Sequence, residues 1–147
     1  MSSLLKVEDL APEFRLLNKD EKEVKLGDFK GRSVVLFFLH SVFYPRSITE
    51  ILSFKEKFED FKKKNVEIIG ISADTPPELK KFSEEHKIPF ELLSDINEEV
   101  GNIYWVYSPK FGLKRSTFLI NEQGYITKIF WLVISPKNHA KDLLTYF

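Results

Sequence analysis

The sequence predicts a layered α/β domain: a central mixed β-sheet flanked by helices, with a β-hairpin in front. Three observations carry this. Short apolar runs alternate with amphipathic segments along all 147 residues, as strands and helices packed in layers require. Ser33 to Leu39 is β-branched and aromatic with no polar alternation, the mark of a central strand buried on both faces. Ile51, Phe54, Phe58 and Phe61 recur at three- and four-residue spacing, with Lys55, Glu56, Lys57, Glu59 and Asp60 facing away, which makes one amphipathic helix beginning near Pro45.

The remaining elements follow in order. Phe14 to Leu17 and Glu23 to Leu26 flank the polar stretch Asn18-Lys19-Asp20-Glu21-Lys22 and read as a hairpin. Gly27 to Arg32 is a loop. After the helix, Val66 to Ile71 is a second buried strand. Thr75-Pro76-Pro77 opens another helix, with proline early and Leu79, Phe82 and His86 along one side. Phe90 to Leu93 is a short strand and Asn97 to Tyr104 a short helix. Ser116 to Ile120 and Tyr125 to Val133 are strands joined by the turn Asn121-Glu122-Gln123-Gly124. Pro136 to Phe147 closes the chain as a helix. No linker, repeat or low-complexity segment divides it, so residues 1–147 form one domain.

Composition narrows the function classes. Lys plus Arg and Asp plus Glu both count 22, so no nucleic-acid or anionic-membrane partner is expected. An apolar run such as Val34 to Leu39 falls far short of the ~20 residues of a membrane span, and the N-terminus does not read as a secretory signal; a cytoplasmic location is expected. The chain has no cysteine, which excludes disulfides, thiolate metal sites and thiol chemistry as written. A single Gln beside abundant Lys and Glu tilts the composition toward a thermophilic source.

In an open α/β sheet, ligands gather outside the carboxyl ends of the central strands, near helix N-termini. The loop from Leu39 to Ser47 lies there. Ser47, or Arg46 beside it, falls in the helix's first turn, where backbone N–H groups favour negative charge. The plain reading of Ser47 is an N-terminal cap. His40, His86 and His139 share no metal-ligand spacing and read as surface or packing residues, with His40 closest to the pocket. Asp74 and Asp95 follow strands and read as loop residues, not an acid pair. The string Tyr104-Trp105-Val106-Tyr107 with Phe111 reads as core. No metal or cofactor is expected.

The segments Ala11-Pro12-Glu13-Phe14, Leu26-Gly27-Asp28-Phe29-Lys30-Gly31, Gly70-Ile71-Ser72-Ala73-Asp74, Ile88-Pro89-Phe90-Glu91-Leu92-Leu93-Ser94-Asp95 and Arg115-Ser116-Thr117-Phe118-Leu119-Ile120-Asn121 carry a resemblance. In order and spacing they resemble peroxiredoxins, above all the bacterioferritin comigratory protein type, from about Val7 to Phe147. The resemblance implies a thioredoxin fold of the peroxiredoxin type. It also implies a site: registering on Pro45, Thr49 and Glu50 places Ser47 at the family's peroxidatic cysteine, Tyr44 at its threonine, His40 at its proline and Arg115 at its remote arginine. Leu52 falls where some members carry a resolving cysteine. Arg115 also reads as an ion-pair partner of Glu50.

The resemblance implies a peroxide substrate and a thioredoxin-like thiol reductant. In the family the aromatic region flanks an edge used for dimerisation, so exposed rings there would point to a homodimer. A serine cannot perform the family's chemistry, since it ionises far too weakly and has no sulfur to oxidise. Either the serine is an engineered substitution or the chemistry was lost naturally; the latter accounts for the drift of His40 and Tyr44. Two functions follow: a thiol peroxidase scaffold inactive as written, or a thioredoxin-fold module kept for binding.

Overall fold

The computed structural model describes residues 4–147. One seven-stranded mixed sheet organises them. Its strands are β1 (Arg15–Asn18), β2 (Glu23–Lys25), β3 (Ser33–Phe38), β4 (Val66–Ser72), β5 (Glu91–Ser94), β8 (Ser116–Ile120) and β9 (Ile126–Phe130), in the spatial order β2-β1-β5-β4-β3-β8-β9. A separate two-residue pair, β6 (Tyr107–Ser108) and β7 (Gly112–Leu113), was not foreseen in the sequence. β3, β4 and β5 run parallel; β8 joins β3 antiparallel, and the front hairpin joins β5 through β1.

The unalternated run in β3 is explained by its central place. Val35, Phe37 and Leu39 enter one core with Ile51, Phe54, Phe61, Phe82 and Leu143, while Val34, Leu36 and Phe38 enter a second with Ile71, Val100, Tyr104 and Phe118. Successive side chains point to opposite faces and both faces are covered. The helices are α1 (Pro45–Glu56), α2 (Phe58–Lys63), α3 (Pro76–His86), α4 (Glu99–Ile103) and α5 (His139–Leu143). α3 begins at a capping box in which Thr75 and Glu78 satisfy each other's backbone N–H groups.

Four sequence expectations change. The stripe Ile51, Phe54, Phe58, Phe61 spans two helices broken at Lys57. Near the break, Ser53 Oγ donates to the Glu50 carbonyl at 2.6 Å, the local side-chain bonding that bends helices. The last strand stops at Phe130 instead of Val133: residues 131 and 132 turn outward, and the chain re-engages where the Val133 N–H donates to the Arg115 carbonyl at 2.9 Å. The closing helix is only His139–Leu143, tightening into a 3₁₀ turn over Leu144–Tyr146, as last turns with unpartnered carbonyls do. Leu26–Phe29 is a 3₁₀ turn, where Leu26 was expected to end a strand and Gly27 onward to be loop.

Candidate active site

The site forms where β3 gives way to α1. The strand's end is tied to β4 by Leu39 N–H to the Ile71 carbonyl (2.9 Å) and Ala73 N–H to the His40 carbonyl (3.1 Å). Asp74 then staples the loop. Its buried carboxylate accepts from Ser41 Oγ (2.8 Å), the Val42 N–H (2.8 Å) and Ser72 Oγ (2.7 Å). Asp95 does the same for α4, accepting from the Val100 and Gly101 N–H groups at 3.1 and 2.8 Å. Both aspartates are thus loop organisers and not an acid pair.

Pro45 occupies the first helical position, where its fixed φ suits the helix and its missing N–H costs nothing. That makes Tyr44 the N-cap residue, with extended φ and ψ of −74° and 143° and no side-chain cap. The reading of Ser47 as the cap is therefore corrected: Ser47 is the third helical residue, and its hydroxyl is engaged elsewhere. It is completely buried, and its Oγ accepts from Arg115 Nη2 at 3.2 Å. Arg115 lies one residue before the β3–β8 pair Phe38–Ser116, which delivers its side chain to the end of β3. Its Nη1 donates to Glu50 Oε1 at 3.3 Å.

Glu50, three residues after Ser47, presents to the same helix face. It is fully buried, and its Oε2 has no hydrogen-bond partner. Burial pushes its carboxyl up to about 7, with the Arg115 guanidinium pulling the other way. The desolvation penalty outweighs one imperfectly bonded arginine. The structure thus brings Ser47, Glu50 and Arg115 into one connected group, in which Arg115 both pairs with Glu50 and bonds Ser47. Tyr44 and His40 form the rim, their rings stacked at 5.9 Å and 15°; Tyr44 is 51% exposed. Leu52 is exposed on the outer side of α1.

The aromatic string divides. Tyr104 and Val106 are core, with the Tyr104 hydroxyl donating to the Pro12 carbonyl at 2.6 Å, whereas Trp105 and Phe111 are exposed. His86 packs on Phe82, and His139 lies buried with Nε2 2.8 Å from Thr117 Oγ1. Among the described residues no group of three or more His, Cys, Asp or Glu could hold a metal, and no helix is long and apolar enough to cross a membrane. The staple at Asp74 was missed in the sequence because its serine donor Ser41 lies 33 residues away; the only local signal was the Ser72-Ala73-Asp74 spacing.

Comparison with known proteins decides the family. Residues 7–129 match the model of the AhpC/TSA family. This chain belongs to that family. Among its relatives, the Bcp peroxiredoxin of Buchnera aphidicola is 38% identical over 149 residues, covering 97% of this chain and 94% of its own length. Two solved structures agree. A cysteine-to-serine mutant of PrxQ from Xylella fastidiosa superposes with a TM-score of 0.91 at 25% identity, over 99% of this chain and 96% of its own. The bacterioferritin comigratory protein of Xanthomonas campestris, described for its alkyl peroxide reduction activity, gives 0.84 at 26% identity over 90% and 88%. The chain is therefore a peroxiredoxin of the Bcp/Q type with the thioredoxin fold, and a peroxiredoxin without cysteine.

Proposed function

We propose that this peroxiredoxin keeps a peroxide pocket at Ser47, Arg115, Glu50, Pro45 and Tyr44 but does not reduce peroxide as written, and that cysteine at position 47 makes it a thiol peroxidase for hydrogen peroxide and alkyl hydroperoxides. The carrying observation is that one guanidinium reaches both Ser47 Oγ, at 3.2 Å, and the buried Glu50 carboxylate, at 3.3 Å. A thiolate at position 47 would sit in the first turn of a twelve-residue helix and against a cation, both of which favour the ionised form. It would attack one peroxide oxygen, forming an S–O bond as the O–O bond breaks. The sulfenic acid remains on the chain, and the departing oxygen leaves as water or an alcohol once protonated. A thioredoxin-like thiol would restore the cysteine. Ser47 can do none of this, for its hydroxyl stays protonated and contains no oxidisable sulfur.

The test is peroxide consumption with dithiothreitol, comparing the chain with Ser47→Cys. Turnover by the cysteine-free chain overturns the assignment, and a silent Ser47→Cys variant overturns the pocket.

A second reading, a catalytically dead binding module, draws on the His40–Tyr44 stack that stands at the family's proline and threonine positions. Two departures beside Ser47 fit natural loss better than one engineered change. The exposed Trp105 and Phe111 rings suit packing against a second copy, and we place the protein in the cytoplasm, where thiol reductants operate.

A further inference from the structure

Two buried polar atoms near the rim lack any hydrogen-bond partner among the described residues: His40 Nδ1 and Glu98 Oε2. They come from distant parts of the chain and meet over one residue, Gly112. A Cβ built there would collide with the His40 imidazole at Nδ1, lie 2.6 Å from its Cε1 and stand 3.1 Å from Glu98 Oε2. Gly112 also has φ of +71°, so glycine is required both for its conformation and for the space. Glu98 is itself held in the left-handed region, with φ of 58° at the N-cap of α4, a conformation unfavourable for a residue with a Cβ. A strained residue and a glycine gap that converge on one imidazole need a reason, since a buried polar group without a partner is itself costly.

We propose that His40 and Glu98 form an imidazole–carboxylate pair, joined by one water over Gly112, that presents His40 Nε2 as a hydrogen-bond acceptor at the mouth of the Ser47–Arg115 pocket for the O–H of a hydroperoxide. The two groups make no direct bond, and a single water with bonds of about 2.8 Å to each is the natural link. The carboxylate can only accept. With the proton on Nδ1, the chain runs imidazole N–H to water and water to carboxylate, and every dipole agrees. With the proton on Nε2, a bare lone pair on Nδ1 would face the negative carboxylate. Glu98 therefore fixes the tautomer, as a carboxylate behind an imidazole commonly does. The ring is only half-buried, so its accessible edge carries Nε2.

That edge belongs to the site by topology. His40 is two residues beyond Phe38, whose antiparallel partner Ser116 follows Arg115 directly, and its ring stacks on Tyr44, the N-cap of the helix that carries Ser47. Glu98 is a positioning residue acting through His40. An acceptor at the rim would complement the arginine, which can only donate, so a ligand with both an O–H and an oxygen acceptor, such as a hydroperoxide, satisfies both. The ligand class rests on the pocket proposed above; the His40–Glu98 pair does not.

Because the cysteine-free chain should bind hydroperoxide without consuming it, both parts can be read by binding alone. Long-range ¹H–¹⁵N spectra of the labelled chain, with the imidazoles neutral and His40 assigned through His40→Gln, report its tautomer. The Nδ1–H form is expected in the parent, moving to Nε2–H in Glu98→Gln, which keeps the volume and removes the charge, and in Glu98→Ala. A parent in the Nε2–H form, or an unchanged tautomer in both variants, overturns the pair. Titration with tert-butyl hydroperoxide should then shift His40 Nε2 saturably, with affinity about three- to tenfold weaker in Glu98→Gln. An Nε2 resonance that does not move overturns the ligand role. Failure of Ser47→Cys to turn over peroxide would overturn the pocket, and with it the ligand class, and leave the tautomer result standing.

Discussion

Replacing Glu50 with glutamine should uncover a pH dependence of stability that the parent conceals. Glu50 is fully buried, and its carboxyl is raised from 4.5 to about 7. Between those values the folded state holds a proton that the unfolded state has released, so this group's contribution to stability is full below pH 4.5 and is lost as pH rises through 7. The shift corresponds to about 3 kcal/mol. His139 works in the opposite sense. Burial lowers its imidazole from 6.5 to about 4, so the unfolded state binds the extra proton, and the contribution is full above pH 6.5 and lost as pH falls through 4. This too amounts to about 3 kcal/mol. The windows overlap, so the slopes of these two groups largely cancel in between. Urea unfolding across both windows is the assay. Glu50→Gln should gain about 3 kcal/mol relative to the parent between the acid and alkaline ends, leaving a profile that rises with pH. His139→Gln, which can keep a hydrogen bond to Thr117, should leave a profile that falls. Parallel profiles for Glu50→Gln and the parent would refute the claim that burial outweighs Arg115 at Glu50.

Other substitutions probe the supports of the site. Asp74→Ala strands two serine hydroxyls and the Val42 N–H, and should cost about 3 kcal/mol of unfolding free energy, with Asp74→Asn costing less because one oxygen acceptor remains; equal stability of Asp74→Ala and the parent would remove the staple. Gly70→Ala places a methyl 2.5 Å from Phe37 Cζ and 2.8 Å from Leu92 Cδ2, inside the core on the α1 side of the sheet, and should cost about 1–3 kcal/mol, read as a lowered Tm.

Much of this was legible in the sequence because it was local. Val34 to Leu39 and the Ile51, Phe54, Phe61 stripe announced a buried strand and a helix, since burial on two faces or one leaves a fixed period. Thr75-Pro76-Pro77 announced the start of α3; the capping box with Glu78 emerged only in the structure. What escaped depended on partners remote in sequence or on competition within a turn. The break at Lys57 divides α1 from α2 although the apolar stripe continues through it, so the pattern of side chains gave no sign of it. Trp131 and Leu132 are as apolar as any strand residue, yet ladder pairing ends at Phe130, and the chain next bonds this edge where Val133 meets Arg115, just before β8. At the site, the family resemblance named Ser47, Arg115, Tyr44, Pro45 and Glu50, but only the folded arrangement reveals that Arg115 serves Ser47 and Glu50 at once. Glu98 and Gly112 carried no signal, as nothing near them in sequence indicates that they converge on His40.

The missing thiol at position 47 should be the main obstacle to turnover in this pocket. The most direct test is one turnover of Ser47→Cys: mix the reduced variant with hydrogen peroxide, trap the sulfenic acid, and measure its rate of formation by mass against Ser47→Cys carrying Arg115→Lys. Sulfenic acid should form at position 47 in the first variant, below the family's full rate because Tyr44 and His40 stand where the family resemblance expects a threonine and a proline. In the double variant formation should slow on the order of a hundredfold, since lysine's single nitrogen cannot reproduce the fork that sets Nη2 on position 47 and Nη1 on Glu50. Equal rates in the two variants, or oxidation no faster than that of free cysteine, would contradict this.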